Sequence, residues 1–276
     1  MTISIPDTLT IDNSEKYIVS IRLRPGGFSF SGYIPSVTDS FFYSEIEVDR
    51  TLPYISVLKE IFFSSEFLTW SYKAVYVVNV TSRYTLIPEG VFSDEQKPNV
   101  LSFNFSDSSS CCQSNELKGA GMELLFDMDE EVYEFCNRTL GNPIFIHHLS
   151  PSLNVWREQS RSSGSKSLYA VLSSSKILDL VCFDCGKLLF ANSFTIEKME
   201  DVIYYILYVW QQQKLAPCDD QFFIAGEVAL CNNLENVLRK YLRNIRPIPV
   251  PSEAYLIGMN VGMAPVDIIS LLVCEL

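Results

Sequence analysis

A short glycine-bearing segment is the clearest candidate for anion chemistry in this chain of 276 residues. Arg22 and Arg24 lie immediately before Pro25-Gly26-Gly27. Proline presets a turn, and glycine permits positive φ and a close approach of the backbone. Guanidinium groups bind phosphate through charge-assisted hydrogen bonds. Two interpretations stay open: these residues donate to a phosphate group, or they form the solvated tip of a surface hairpin.

Two further motifs are incomplete. Cys182 and Cys185 have C-x-x-C spacing, but they flank a predicted hairpin turn rather than the helix N-terminus that stabilises a thiolate. No second cysteine pair with zinc-site spacing accompanies them. Residues 164–167, G-S-K-S, resemble the end of a P-loop, but the first glycine of that motif is missing and a strand follows. Metal, redox and P-loop chemistry are therefore disfavoured.

The histidines and the densest carboxylate group also favour structural roles. His147 and His148 are the only two histidines, and neighbouring strand residues point to opposite faces, so at most one is expected inside. No triad order or H-E-x-x-H motif accompanies them. Asp127 and residues 129–131 suit a helix start electrostatically and lack EF-hand spacing. We predict no catalytic residue and no metal ligand.

Hydrophobic patterning predicts two similar runs of elements. The first run has strands on both sides of the Pro25-Gly26-Gly27 turn (residues 17–35), a strand at 41–48, a helix at 52–68 and a buried strand at 74–80. The second run has strands at 168–172, 177–183 and 188–194, a helix at 197–214 and a strand at 222–225. Each half of the chain therefore begins in the order β-β-β-α-β.

The remaining patterns complete the prediction. We expect strands at 84–87, 100–105, 122–126, 144–148 and near 248, helices at 129–140, 154–159 and 234–244, and a loop at 106–115. The segment from Ala254 is predicted to be buried and to end in a strand. The small polar residues 160–167 are typical of a flexible linker. We therefore predict two domains, residues 1–160 and 161–276.

This order predicts an α/β fold. Three leading strands suggest an antiparallel meander, and the strand-helix-strand units that follow suggest parallel pairs, so each sheet is mixed and covered by helices. A duplicated β-β-β-α-β-α unit is the ribonuclease H-like architecture of the actin-like ATPase superfamily. Three stretches carry a closer resemblance: I-R-L-R-P-G-G-F-S-F-S at 21–31, T-L-I-P-E-G-V-F at 85–92 with L-S-F-N-F at 101–105, and H-H-L-S-P-S-L at 147–153. They resemble a family of uncharacterised Bacteroidota proteins assigned an actin-like ATPase fold, which implies a fold and no reaction.

The resemblance to actin-like ATPases implies where a nucleotide site would lie. Active members have two phosphate-binding hairpins, each usually led by Asp-x-Gly, and a glycine pair beside the adenosine. The corresponding ligand-binding positions here are Arg22, Arg24, Gly26 and Gly27 in the first hairpin, Ser173, Ser174 and Ser175 in the second, and Gly226 at the adenosine position. Neither hairpin carries the aspartate, so we predict that Mg-ATP hydrolysis is absent. No cofactor is predicted, and a nucleotide with Mg²⁺ is disfavoured.

Charge and cysteine content narrow the function classes. The chain has 21 Lys and Arg against 33 Asp and Glu, a formal charge of −12, of which −10 falls in residues 1–150. An acidic protein repels nucleic acid and anionic membranes. The eight cysteines, with no signal-peptide pattern, indicate free thiols and a cytoplasmic location. The sequence thus predicts a non-catalytic scaffold that binds an unidentified protein partner; the alternative is a nucleotide- or phospholigand-binding ATPase or sensor.

Overall fold

The structure is a computed structural model that describes residues 3–48, 51–106, 111–173 and 176–274. Contacts divide the chain into two compact units. Unit 1 comprises Met1–Ser150 with Pro251–Val273, and unit 2 comprises Pro151–Val250 with Cys274–Leu276. The C-terminal segment thus groups with the first unit. The sequence-based division at residues 160 and 161 stays a prediction.

Unit 1 is built on a five-stranded mixed sheet. Its elements are β1 (Ile18–Arg24), β2 (Gly27–Tyr33), β3 (Phe42–Glu47), α1 (Tyr54–Ser64), β4 (Ala74–Asn79), β5 (Tyr84–Pro88), α2 (Lys97–Asn104), β6 (Cys111–Leu117), β7 (Met122–Met128), α3 (Glu130–Thr139), β8 (Ile144–His147) and α4 (Leu149–Arg161), the last continuing into unit 2. The main sheet has the order β3-β2-β1-β4-β8. β1, β2 and β3 form an antiparallel meander, whereas β4 pairs parallel with β1 and with β8. Strands β5, β7 and β6 form a separate antiparallel sheet.

Unit 2 repeats the topology of the main sheet. Its further elements are β9 (Lys166–Leu172), β10 (Ile177–Asp184), β11 (Lys187–Thr195), α5 (Met199–Gln212), β12 (Gln221–Ala225), α6 (Val228–Leu238) and β13 (Ile245–Pro247). The order is β11-β10-β9-β12-β13, with an antiparallel meander followed by parallel pairs. The predicted duplicated β-β-β-α-β-α architecture is confirmed. The chain ends in two 3₁₀ turns and α7 (Val266–Val273), which belongs to unit 1.

Each sheet buries an apolar helix face. In α1 the buried residues Val57, Leu58, Ile61 and Phe62 recur at helical spacing, and Phe62 meets Phe28 of β2 edge to face. Unit 2 has a corresponding core in which Trp210 of α5 contacts Phe222 of β12. These stripes are what the periodic patterns in the sequence predicted.

Several sequence predictions are wrong. Residues 100–104 belong to helix α2 rather than to a strand. Leu101 is buried against Ile87 and Leu125, whereas Phe103 is exposed. The predicted loop at 106–115 contains the start of β6, and residues 107–110 lie outside the described residues. The C-terminal segment ends in a helix, not a strand, and α6 begins and ends about six residues before its predicted bounds.

The predicted linker is also wrong. Helix α4 continues to Arg161 and β9 starts at Lys166, and both Ser160 and Ser167 are fully buried. The Ser160 hydroxyl accepts a hydrogen bond from the Gly186 backbone N–H at 2.9 Å. The Ser160 hydroxyl therefore satisfies a backbone group of a tight connection rather than lending flexibility. None of the described helices combines the length and apolar character needed to cross a lipid bilayer.

Candidate functional site

The β1–β2 hairpin places Arg24 at the end of β1, opposite Gly27. Gly26 has φ of +77° in the turn. The Arg24 Nη2 atom lies 2.7 Å from Glu45 Oε1 and 2.5 Å from Glu47 Oε1, both on β3. Burial opposes the charge of Arg24, but the hydrogen bonds that the guanidinium donates to Glu47 and Glu45 outweigh it and raise its pKa. Arg24 is thus a buried cation held by two carboxylates.

Gly27 makes room for this arginine. A Cβ atom built on Gly27 would lie 2.1 Å from Arg24 Cζ, inside van der Waals contact. The guanidinium crosses the hairpin through the space that a side chain would fill. The glycine therefore has a structural explanation within the hairpin.

We expect Gly27→Ala to displace Arg24 from Glu45 and Glu47. The loss of charge-assisted hydrogen bonds should lower the free energy of unfolding by about 1.5–3 kcal/mol, measured by urea denaturation. Gly141→Ala is the matched control, because a Cβ there meets nothing within 4 Å. Equal stability of the two variants would show that Arg24 does not depend on the glycine.

Arg22 is engaged elsewhere in unit 1. Its Nε atom lies 2.5 Å from Asp267 Oδ2 of helix α7, and both residues are buried. The ion pair ties the C-terminal helix to the central strand of the main sheet. The interpretation of Arg22 and Arg24 as a solvated hairpin tip is therefore wrong, because both side chains are inside.

A cavity of about 460 Å³ opens at the same end of the sheet. It lies where the parallel strands β1 and β4 reach their carboxyl ends, next to the start of α3. Its lining includes Arg24 and Gly26, two of the predicted ligand positions. The other lining residues come from four segments of unit 1: Leu23 and Pro25; Val48, Leu52 and Tyr54; Asn79, Val80 and Thr81; and Asp127, Met128, Asp129 and Val132.

Two aspartates lie on one wall of this cavity. Asp127 Oδ2 is 2.9 Å from Arg83 Nε. Asp129 Oδ1 accepts a hydrogen bond from the Val132 backbone N–H at 3.0 Å and so caps helix α3. The predicted helix start is confirmed. Within the described residues, no group of three or more His, Cys, Asp or Glu side chains is placed to hold a metal ion.

The two histidines are both buried, so the expectation that at most one faces inward is wrong. Both sides of β8 are covered at its end. His147 Nδ1 accepts from the Leu149 N–H at 3.2 Å, and Nε2 lies 2.9 Å from the Thr81 carbonyl oxygen, partners that assign the Nε2–H tautomer. Burial lowers the pKa of His147 well below 6.5. The imidazole is therefore a neutral structural group.

Two of the predicted positions in unit 2, Ser173 and Gly226, lie at one end of its sheet. Ser173 follows β9, and its backbone N–H donates to the Ile177 carbonyl at 2.9 Å; Ser174 and Ser175 lie outside the described residues. Gly226 follows the parallel strand β12 with φ of +151°. A Cβ on Gly226 would lie 2.7 Å from the Leu172 carbonyl oxygen. Gly226 therefore permits two strand ends of unit 2 to approach each other.

The C-x-x-C pair lacks thiolate character. Cys182 is buried in β10 and Cys185 is exposed in the following turn. Burial raises the pKa of Cys182 to about 12, and the pKa of Cys185 is also raised. A reactive cysteine needs the opposite shift.

Comparisons with known proteins agree with this fold. Residues 6–245 match a family described as "Protein of unknown function (DUF3822)". The chain belongs to this family. The DUF3822 protein is 31% identical to a Bacteroides thetaiotaomicron VPI-5482 protein of solved structure, described as having an actin-like ATPase fold and unknown function. The match has a TM-score of 0.84 and covers 97% of this chain and 100% of that chain. The predicted family resemblance and fold class are thus confirmed.

Two further solved structures match at low sequence identity. The PilM-PilN type IV pilus biogenesis complex contains a chain with 11% identity and a TM-score of 0.52, covering 92% of this chain and 94% of that chain. The cytoplasmic domain of EpsL, an inner-membrane component of the type II secretion system of Vibrio cholerae, gives 10% identity and a TM-score of 0.43, with 84% and 90% covered. No curated protein matches the DUF3822 chain significantly.

At the first hairpin, a bound phosphate would compete with carboxylates for both arginines. Both arginines of the first hairpin are bonded to carboxylates of unit 1, and Asp127 and Asp129 line the neighbouring cavity. Phosphate there would meet negative charge and would have to displace Glu45 and Glu47 from Arg24. Glu45, Glu47 and Asp267 were not among the predicted site residues. The only sequence pattern that pointed to Glu45 and Glu47 is their alternation along β3.

Proposed function

We propose that this DUF3822 protein is a non-catalytic actin-like module that binds a protein partner through unit 1. The observation that carries the proposal is the pairing of Arg22 with Asp267 and of Arg24 with Glu45 and Glu47. Arg22 and Arg24 are the cations that the first hairpin would offer to a phosphate group. Both are instead paired with carboxylates of unit 1. The same arrangement stabilises unit 1 as a scaffold.

The negative charge of unit 1 favours a partner with a basic surface. Its residues include 10 Lys and Arg against 22 Asp and Glu, net −12, whereas unit 2 has 11 of each and no net charge. Ion pairs among the described residues of unit 1 already engage Arg22, Arg24, Arg83, Lys97 and Arg138. The remaining acidic field attracts a partner with a basic surface and accelerates its association at low salt. A chain of the PilM-PilN type IV pilus biogenesis complex shares the fold.

The alternative function is a nucleotide- or phospholigand-binding sensor. Its support is the cavity, because Arg24 and Gly26 line it. Its weakness is the local charge. The two negative charges of Glu45 and Glu47 exceed the one positive charge of Arg24. Asp129 adds a further carboxylate to the lining of the cavity. The geometry therefore favours the scaffold.

The test is capture followed by reconstitution. The full chain serves as bait, and each captured protein is purified and mixed with it again. Zero-length carbodiimide cross-links, which join carboxylates to lysines, are then mapped. We expect cross-links from carboxylates of unit 1 to lysines of the partner, binding that weakens as salt rises, and no change on adding Mg-ATP. Cross-links confined to unit 2, or binding that requires Mg-ATP, would contradict the proposal.

A further inference from the structure

The cavity beside the first hairpin has the features of a small-molecule site. Its volume of about 460 Å³ falls in the range of ligand pockets, roughly 300–1,000 Å³. It lies outside the carboxyl ends of β1 and β4, and the crevice at the carboxyl ends of strands is where open α/β sheets bind ligands. Ligand binding in this cavity does not require the proposed protein partner.

The walls are mainly apolar. Leu23 is the penultimate residue of β1 and Val80 directly follows β4, whereas Met128 and Val132 come from the end of β7 and from α3. All four are buried. Tyr54 adds an aromatic side chain, and its hydroxyl already donates to the Gly27 carbonyl at 2.9 Å. The larger part of a ligand bound here must therefore be apolar.

The charges around the cavity define the polar end of the ligand. Arg24 is the only lining cation among the described residues, and it is bonded to both Glu45 and Glu47. Asp127 is balanced by Arg83. Asp129 lines the cavity and is exposed, and it uses Oδ1 to cap α3. The resulting excess of negative charge repels anions and attracts cations.

We propose that this cavity binds a small organic cation, an apolar body that carries a protonated amine near Asp129. The apolar body fills the space between Leu23, Val80, Met128 and Val132, and the ammonium group lies toward the carboxylate wall. The class excludes nucleotides and other phosphorylated ligands, whose charge has the wrong sign. No proton or group transfer is involved.

The test uses three probes with the same indole body and different charge: tryptamine, tryptophol and indole-3-acetate. Binding to the full chain is followed by methyl NMR at Met128 and Val132. We expect saturable shifts with tryptamine at millimolar concentration, an affinity about threefold or more above that of tryptophol, and the weakest binding by indole-3-acetate. No shift with tryptamine, or tighter binding of indole-3-acetate, would overturn the proposal.

Two variants locate the amine. Asp129→Asn keeps a side chain that caps helices well but removes the charge, so the fold should persist while the preference for tryptamine over tryptophol disappears. Glu15→Gln is the matched control, an exposed carboxylate of unit 1 that does not line the cavity, and it should leave the preference intact. Leu52→Trp, at an exposed lining position, should weaken all three probes by filling the entrance. Equal effects of Asp129→Asn and Glu15→Gln would contradict the assigned position.

Discussion

Removing either partner of the Arg22–Asp267 ion pair is expected to lower the free energy of unfolding by about 3–5 kcal/mol. Both residues are buried, and their Nε and Oδ2 atoms are 2.5 Å apart, so Arg22→Met leaves an uncompensated carboxylate and Asp267→Leu an uncompensated guanidinium. Urea denaturation of each variant measures the loss. It would appear as a lower midpoint at unchanged slope.

The double variant makes this prediction specific. Arg22→Met with Asp267→Leu removes both charges, so its stability should exceed that of either single variant. Glu134→Gln is the control, because the Arg138–Glu134 pair lies on the exposed face of α3 and should contribute less than about 1 kcal/mol. Additive losses in the double variant would show that the two residues do not act as a pair. Arg22 would then have to be reconsidered as a ligand-binding group.

The second large effect is expected at Gly226. An alanine Cβ would lie 2.7 Å from the Leu172 carbonyl oxygen and 3.0 Å from Leu172 Cβ, at a backbone φ of +151°. Because backbone rather than a flexible side chain blocks the space, the strand ends must separate. We expect Gly226→Ala to destabilise the chain by about 2–4 kcal/mol in denaturation.

Gly164→Ala separates crowding from backbone conformation. Gly164 also belongs to unit 2 and has φ of +65°, but a Cβ there meets nothing within 4 Å. Gly164→Ala should lower the free energy of unfolding by only about 1–2 kcal/mol, the penalty for an alanine at positive φ. If Gly226→Ala costs no more than Gly164→Ala, the close approach to Leu172 is not what requires the glycine.

Much of the fold followed from local patterns. The alternating apolar residues around Pro25-Gly26-Gly27 predicted the β1–β2 hairpin, and the periodic apolar residues of α1 predicted a helix. In both cases the local sequence is enough to show which residues are buried. Helix α2 was missed because Leu101, Phe103 and Phe105 alternate like a strand, and only packing of Leu101 on the β5–β7 sheet reveals the helix. Local pattern could not show which face that packing selects.

The candidate site was less predictable for a different reason. Arg22 and Asp267 are separated by 245 positions, so their pairing depends on how the C-terminal helix returns to unit 1. Glu45 and Glu47 were closer to being predicted. A meander places β3 beside β2, and Gly27 is in register with Glu47. The register, however, is fixed by packing and was not available from spacing alone.

The most direct test of the central claim is equilibrium binding of Mg-ATP to the full chain, measured by isothermal titration calorimetry. Because Arg22 and Arg24 are held by carboxylates, we predict no saturable heat at nucleotide concentrations up to about 1 mM, and no stabilisation against thermal unfolding in parallel. A ligand at a hundred times its dissociation constant would add about 2.7 kcal/mol to the free energy of unfolding. Saturable binding that is lost in Arg24→Ala would contradict the account.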